Sequence, residues 1–424
     1  MSDLLITGAD LYGRGPSDLL IRDGRFVEPD DGSTGVERFD ADGLIALPGL
    51  VDLHTHLREP GREDAETVES GTAAAARGGF TAVLAMANTD PVTDTAEAAE
   101  QVASLGRRSP HAAVFPVGAV SKGLAGRELA ELGLMAWSRV AVRVFSDDGH
   151  CVADARLMRR ALEYVRAFDG VIAQHAQDPQ LAGAEACCHE GAISGRLGLP
   201  GWPAVAESTI VARDVQIAEL TRSRLHVCHV STAETVDVLR WAKARHIDVT
   251  AEVAPHHLLL TTDEVIDYDP TYKVNPPLRP AEHVEALRAG LADGTIDAVA
   301  TDHAPHARHD KEHAFAEAAS GMLGLETALA VVQETMVNPD RMSWDEVGRR
   351  MSMTPARIAR LEDQGRPIRT GEPANLTLVD PSARAVVDRD TSASLSRNNP
   401  WHGRNLPDPI VATFWRGRAT YRRP

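Results

Sequence analysis

The 424-residue sequence has only four cysteines, Cys151, Cys187, Cys188 and Cys228, and no Cys-x-x-Cys pair. So few thiols argue against a disulfide framework or a cysteine-based structural zinc site, and suit reduced, partly buried side chains. Cys228, beside His229, is expected to pack on the strand face opposite that histidine. No window of about 18 apolar residues occurs, so no transmembrane helix is expected. Positive charge is also in deficit. With 44 Lys plus Arg against 61 Asp plus Glu the formal charge is −17, which disfavours nucleic acid and anionic membrane surfaces as partners. A locally positive pocket for an anionic substrate remains compatible with that balance. The opening Met1-Ser2-Asp3-Leu4 lacks the basic start and small-residue cleavage site of a signal peptide, so a cytoplasmic protein is expected.

What the sequence does have is a large apolar fraction, 43%, and a length that fits one barrel of typical size plus a smaller appended domain. The run Val51-Asp52-Leu53-His54-Thr55-His56-Leu57-Arg58 carries two histidines two apart. On a strand they share a face, so both imidazoles reach one point and form a ready pair of metal ligands. Similar runs rich in Val, Ala or Ile recur at 80–88, 112–119, 140–148, 171–175, 225–229, 247–252 and 296–302, which makes eight. Helical spacing fills stretches between them, at 155–167, 208–221, 232–245 and 282–291. Apolar strands alternating with helices predict an α/β fold, a (β/α)8 TIM-type barrel with its chemistry at the C-terminal strand ends. The polar residues converging there are His54, His56, Asn88, Asp148, His175, His229 and Asp302. This nitrogen and oxygen set suits a borderline divalent metal such as zinc.

The ends of the chain read differently. Residues 1–48 and 366–424 contain short strand-like pieces and turn signals such as Asp23-Gly24 and Asp42-Gly43, with 374–379 and 410–416 as the clearest strands. Neither end has enough strands to stand alone, so both are expected to join in one small β-sandwich domain around a barrel of 49–365.

Several motifs carry a family resemblance. The run from Leu47-Pro48-Gly49 through His54-Thr55-His56-Leu57-Arg58-Glu59-Pro60-Gly61 resembles the opening motif of the amidohydrolase superfamily in its dihydroorotase form, and Thr301-Asp302-His303-Ala304-Pro305-His306 resembles the closing motif. Ala87-Asn88-Thr89, Phe145-Ser146-Asp147-Asp148-Gly149, Ala173-Gln174-His175-Ala176 and Val274-Asn275-Pro276-Pro277-Leu278-Arg279 match in the family's order. Many hydantoinase-type relatives hold two metals with a carboxylated lysine on strand four. Here the lysines are Lys122, Lys243, Lys273 and Lys311, and none ends the 140–148 run. That substitution is similar to bacterial type I dihydroorotases, the metal-dependent hydrolases in which an aspartate takes the lysine's place.

The resemblance implies zinc, one or two ions per subunit, with His54, His56 and Asp302 on one side, His175 and His229 on the other, and Asp148 between. Adjacent Asp147 and Asp148 cannot both face inward on a regular strand, and the family's spacing selects Asp148, leaving Asp147 a supporting role. The implied reaction is reversible closure of N-carbamoyl-L-aspartate to L-dihydroorotate, through a metal-bound hydroxide with Asp302 as general acid and base. Arg58, two residues past His56, is expected on the same face as a carboxylate clamp. Resemblance adds Asn88 and His306 on that carboxylate, Asn275 on the ring, and the turn beginning at Gly321. Ser320 stands where many relatives carry phenylalanine, so the resemblance does not carry a side-chain contact over to this position. His256 and His257 are expected to be structural, and 303–313 a mobile loop. The implied partners are the small-molecule substrate, aspartate carbamoyltransferase and further copies of the chain in a homo-oligomer. Two competing readings are a dihydropyrimidinase or allantoinase, whose substrates lack the ring carboxylate, and a non-catalytic scaffold for the carbamoyltransferase, which would have lost metal ligands.

Overall fold

Runs of Val, Ala and Ile bury both faces of a strand, as parallel sheets covered by helices require. The computed structural model describes residues 3–29 and 36–424, so Met1 and Ser2 of the opening tetrapeptide lie outside the described residues. All eight runs contain strands, in chain order β1 Leu50–Thr55, β2 Phe80–Ala85, β3 Ala113–Pro116, β4 Val144–Phe145, β5 Val171–Gln174, β6 Arg224–Val227, β7 Val249–Val253 and β8 Ala298–Val299. β1 to β3 form one parallel sheet and β4 to β8 another. Parallel bridges from Gly118 to Phe145 and from Thr55 to His303 link the two sheets at both ends. Within each sheet, neighbouring strands follow chain order.

The helices occur where the spacing predicts them, at Ala155–Val165, Val205–Thr221, Ala233–Ala244 and Ala281–Asp293. Their ends have local causes. Asp154 and Thr232 accept hydrogen bonds from the backbone N–H of Leu157 and Thr235, and the last of these helices stops at Gly294 in the left-handed region. Among the described residues, no helix is long and apolar enough to cross a membrane.

The strands stop short of the sequence runs, because the residues just past them leave the extended conformation. Arg58, His229 and Asp302 have φ of 62°, 30° and 47°, values that no strand accommodates. The alternation that carries His54 and His56 therefore does not extend to Arg58. Below the strand ends, Leu53, Leu84, Val144, Val171, Ala173 and Ala298 form one apolar cluster with Ile358 and Ala359.

Both ends of the chain contribute to a separate eight-stranded sheet. Its seam is the antiparallel pairing of Ile45–Pro48 with Leu376–Val379, flanked by Leu4–Leu11 on one side and Ile410–Trp415 on the other. Leu4, Ile6, Ile21, Phe26, Leu376 and Phe414 fill its core. Between Leu376–Val379 and Ile410–Trp415, residues 392–399 run along the loops that follow β1 and β8. Ser394 Oγ and Leu395 N donate to Glu66, Ser396 Oγ donates to the Ala65 carbonyl, and Asn398 Nδ2 donates to the carbonyls of Ala304 and Gly321.

Candidate metal centre

Alternate residues leaving β1 bring His54 and His56 to one place, with both Nε2 atoms facing two carboxylates. Asp148 Oδ2 lies 3.2 Å from His54 Nε2 and 3.3 Å from His56 Nε2, and Asp302 Oδ1 lies 3.6 and 3.3 Å from the same nitrogens. The second oxygen of Asp148, Oδ1, lies 3.2 Å from His175 Nδ1 and 3.1 Å from His229 Nε2. Those two nitrogens are 2.9 Å apart. One carboxylate thus stands between two histidine pairs, giving one oxygen to each. All six side chains are buried.

The residues fit a divalent cation. Donors about 2.1 Å from a tetrahedral ion stand about 3.4 Å from one another, close to the separations found around Asp148 and Asp302. Hydrogen bonding alone does not satisfy the cluster, because His54 Nε2 is buried without a hydrogen-bond partner. Charge gives the same answer. Burial opposes ionisation of Asp148 and Asp302, yet the histidines around them hold both well below the usual carboxylate range. Burial likewise opposes charge on His54 and His175, and Asp148 raises both above the usual imidazole range. The two ionised carboxylates are thus matched by positive charge on the rings, the charge a bound cation would supply in their place.

Polar partners behind the cluster set which ring nitrogen is free. His54 Nδ1 lies 2.8 Å from Glu252 Oε1, and Glu252 Oε2 lies 3.0 Å from His226 Nε2, whose Nδ1 in turn lies 2.9 Å from Thr250 Oγ1. Burial works against the charge on Glu252, but the bonds from His226 and His54 bring its carboxyl down to about 2. An ionised acceptor at Nδ1 fixes the His54 tautomer with its lone pair on Nε2. Asn88 Oδ1 does the same for His56, 2.9 Å from its Nδ1. Asp52 ties β1 to β8: its Oδ1 accepts from the backbone N–H of His54 (3.1 Å) and of Thr301 (2.9 Å), and its Oδ2 from Thr301 Oγ1 (2.5 Å). Asp147 turns away from the cluster and accepts from the N–H groups of Val120 and Ser121 and from Ser121 Oγ. Sequence reasoning passed over Glu252, His226 and Asp52. Glu252 ends the apolar 247–252 run as the ligands end theirs, and that position was the available signal.

Cys228 departs from expectation. It lies beside His54 and Glu252, not on a face turned away from the site. The positive φ of His229 breaks the strand there, so alternation no longer separates the two neighbours. Burial, with the Glu252 charge beside it, pushes the Cys228 thiol up to about 12, so it stays a neutral thiol.

The residues expected to hold substrate surround the cluster. Arg58 arrives through its left-handed backbone, and its Nε donates to the Pro305 carbonyl at 3.0 Å. Burial lowers its pKa to about 10, which leaves it cationic at neutral pH. His306 Nε2 lies 2.8 Å from the Ser320 carbonyl, so that nitrogen carries the hydrogen, and its 3.4 Å approach to Arg58 Nη2 is a packing contact. Burial and the Arg58 charge hold His306 down to about 2, so the ring is neutral. Gly321 has φ +148°, and a Cβ there would come 2.7 Å from His306 Nε2. Ser320 contributes its carbonyl to the site. His303 accepts from Gly324 N at Nδ1 and reaches Glu66 at Nε2, outside the ligand cluster. His256 and His257 are buried and also stand outside it. Within 303–313, Lys311 Nζ donates to the carbonyls of Ala319, Gly321 and Lys273 at 2.8, 3.2 and 3.4 Å.

Two histidine pairs joined by one carboxylate, with a further carboxylate past the last strand, make this a metal-dependent hydrolase centre on an α/β scaffold. Known proteins agree. The Dihydro-orotase-like family model matches residues 43–235. The chain is 59% identical to the dihydroorotase of Streptomyces coelicolor, over 99% of this chain and 98% of that one. It is 60% identical to the dihydroorotase of Leifsonia xyli, over 99% and 97% of the two chains. Among solved structures it resembles the L-hydantoinase (dihydropyrimidinase) of Arthrobacter aurescens, with a TM-score of 0.84 and 26% identity over 99% of this chain and 96% of that one. The dihydropyrimidinase of Brevibacillus agri has a TM-score of 0.86 at 21% identity, over 99% and 95% of the two chains, a likeness of fold alone. The chain is a metal-dependent cyclic amidohydrolase with the α/β fold of the TIM-barrel superfamily. It belongs to the dihydroorotase family.

Two outcomes follow from this geometry. Asp148→Ala should strip most bound metal, measured by plasma mass spectrometry of the purified protein, while Asp147→Ala should retain it; the opposite ranking would contradict the placement of the two carboxylates. Lys311 is the second case, because burial lowers its pKa from 10.5 to about 7. The unfolded chain then binds the extra proton between those values, so its contribution to stability is present above pH 10.5 and lost as pH falls through 7. Relative to Lys311→Met, the native protein should gain unfolding free energy as pH rises across that window, and a flat difference would contradict the shift.

Proposed function

We propose that this chain interconverts N-carbamoyl-L-aspartate and L-dihydroorotate in de novo pyrimidine biosynthesis, on a (β/α)8 barrel of residues 49–365 carrying a small β-sandwich built from 1–48 and 366–424. The observation that carries the substrate assignment is Arg58, a half-buried guanidinium held cationic beside the ligand cluster. A planar fork of donors matches a ring carboxylate in two bonds. Dihydropyrimidinase and allantoinase substrates lack that group. A full ligand set argues against a scaffold without activity.

His54, His56 and Asp302 would hold one zinc ion, His175 and His229 the other, and Asp148 both. Bound there, the metal supplies Lewis acidity and lowers the pKa of water toward neutrality. The protein's own groups do the rest. Arg58 binds the substrate carboxylate, helped by the Nδ2 side of Asn88, while neutral His306, its one N–H given to the Ser320 carbonyl, lines the pocket beside Arg58. Asn275 Oδ1 and the backbone at Gly321 face the ring. Asp302, held ionised, takes a proton from the attacking water and returns it to the ring nitrogen as the C–N bond breaks. In the biosynthetic direction it removes that proton as the ring closes with loss of water. The reading extends to a cytoplasmic setting, to self-association, and to aspartate carbamoyltransferase as a partner, each supported by family membership.

Loss of ultraviolet absorbance on opening L-dihydroorotate tests the assignment, with dihydrouracil and allantoin as controls and with the carbamoyltransferase added in a parallel assay. Faster opening of either control would overturn it. Arg58→Met should lower kcat/KM by about 100-fold, mainly through KM, as loss of charged hydrogen bonds to a carboxylate does. Metal content should not change. An unaltered KM would remove Arg58 from the substrate's carboxylate.

A further inference from the structure

Gln177 sits two residues past His175, half-buried, and a single atom of it touches both halves of the site. Its Oε1 lies 2.9 Å from His175 Nε2 and 3.3 Å from Asn275 Nδ2. An amide oxygen has two lone pairs and accepts both bonds at once. The bond to His175 requires the hydrogen on Nε2, since a carbonyl oxygen cannot donate. Nδ1 is then left with its lone pair, 3.2 Å from Asp148 Oδ1 and 2.9 Å from His229 Nε2. The bond to Asn275 orients that amide as well. With Nδ2 turned to Gln177, Asn275 Oδ1 is left buried without a hydrogen-bond partner. A buried acceptor of this kind is costly until a ligand brings it an N–H.

We propose that Gln177 is a positioning residue that couples cation binding to substrate binding. Through His175 it fixes the tautomer that leaves a ligand atom facing Asp148. Through Asn275 it presents a carbonyl to a ring N–H of a cyclic amide. A ring that gives its Nδ1 lone pair to a cation becomes a stronger donor at Nε2, so the two roles reinforce each other. The substrate half rests on the dihydroorotase reading above, and the cation half does not.

The test uses Gln177→Met, Gln177→Glu, Asn275→Ala and the Gln177→Met/Asn275→Ala double variant in the full-length protein. Zinc affinity is read by chelator competition without substrate, and KM for dihydroorotate is read at saturating zinc. Gln177→Met, which lacks the acceptor, should weaken zinc binding by about 10–100-fold. Gln177→Glu keeps the acceptor and should return zinc affinity to within about twofold of native. Asn275→Ala should raise KM and leave zinc affinity alone. In the double variant KM should match Asn275→Ala within about twofold, because Gln177 reaches substrate only through Asn275. Native zinc affinity in Gln177→Met, or equal weakening in Gln177→Glu, would overturn the cation half. Additive KM effects would overturn the substrate half. If the native protein opens no dihydroorotate while Gln177→Met still weakens zinc binding, the substrate half and its reading fall together and the cation half stands.

Discussion

Everything at the mouth of this scaffold depends on one buried carboxylate, Asp148, facing a histidine pair with each of its oxygens. Four imidazoles and two ionised carboxylates packed out of water are unfavourable without positive charge between them. The supporting structure is arranged to keep them there. Asp52 ties β1 to the residue before Asp302, Glu252 and Asn88 hold the far nitrogens of His54 and His56, and Asp147 secures the loop after β3. Under the proposed function, hydrolysis then needs little from the chain beyond a proton carrier, for which Asp302 is proposed, and a clamp for the substrate.

The same site stores backbone strain. Arg58, His229 and Asp302 are non-glycine residues in the left-handed region, and each lies just past the end of a strand. Such conformations cost about 1–3 kcal/mol each and persist where surrounding contacts over-determine them. Here the strand ladders below, the Asp52 bonds and the Arg58 bond to Pro305 supply those contacts. The strain lets side chains from neighbouring positions turn to one point that a regular pleat would send to opposite faces.

Much of this was legible in the amino-acid order. Eight apolar runs alternating with helical stretches gave the strands and the parallel pairing, and a polar residue at the end of a run marked each candidate ligand. The choice of Asp148 over Asp147 came from family spacing, and the bonds of Asp147 to Val120 and Ser121 agree with it. Local pattern failed where the backbone left the strand: Arg58 reaches the site by a turn, and Cys228 lies against His54 when alternation would have put it elsewhere. Glu252 and Gln177 were missed for a different reason. Their meaning lies in partners 198 and 98 residues away, His54 and Asn275, and no local periodicity encodes such contacts. The run of 392–399 back along the loops after β1 and β8, with Asn398 on Gly321, was invisible for the same reason.

Anomalous diffraction at the zinc edge, from crystals of the zinc-loaded protein, tests the central claim most directly. The account predicts two peaks about 3.5–4 Å apart, one beside His54 and His56 and one beside His175 and His229, with one oxygen of Asp148 on each. A single peak, or two peaks with Asp148 bound to only one, would contradict it.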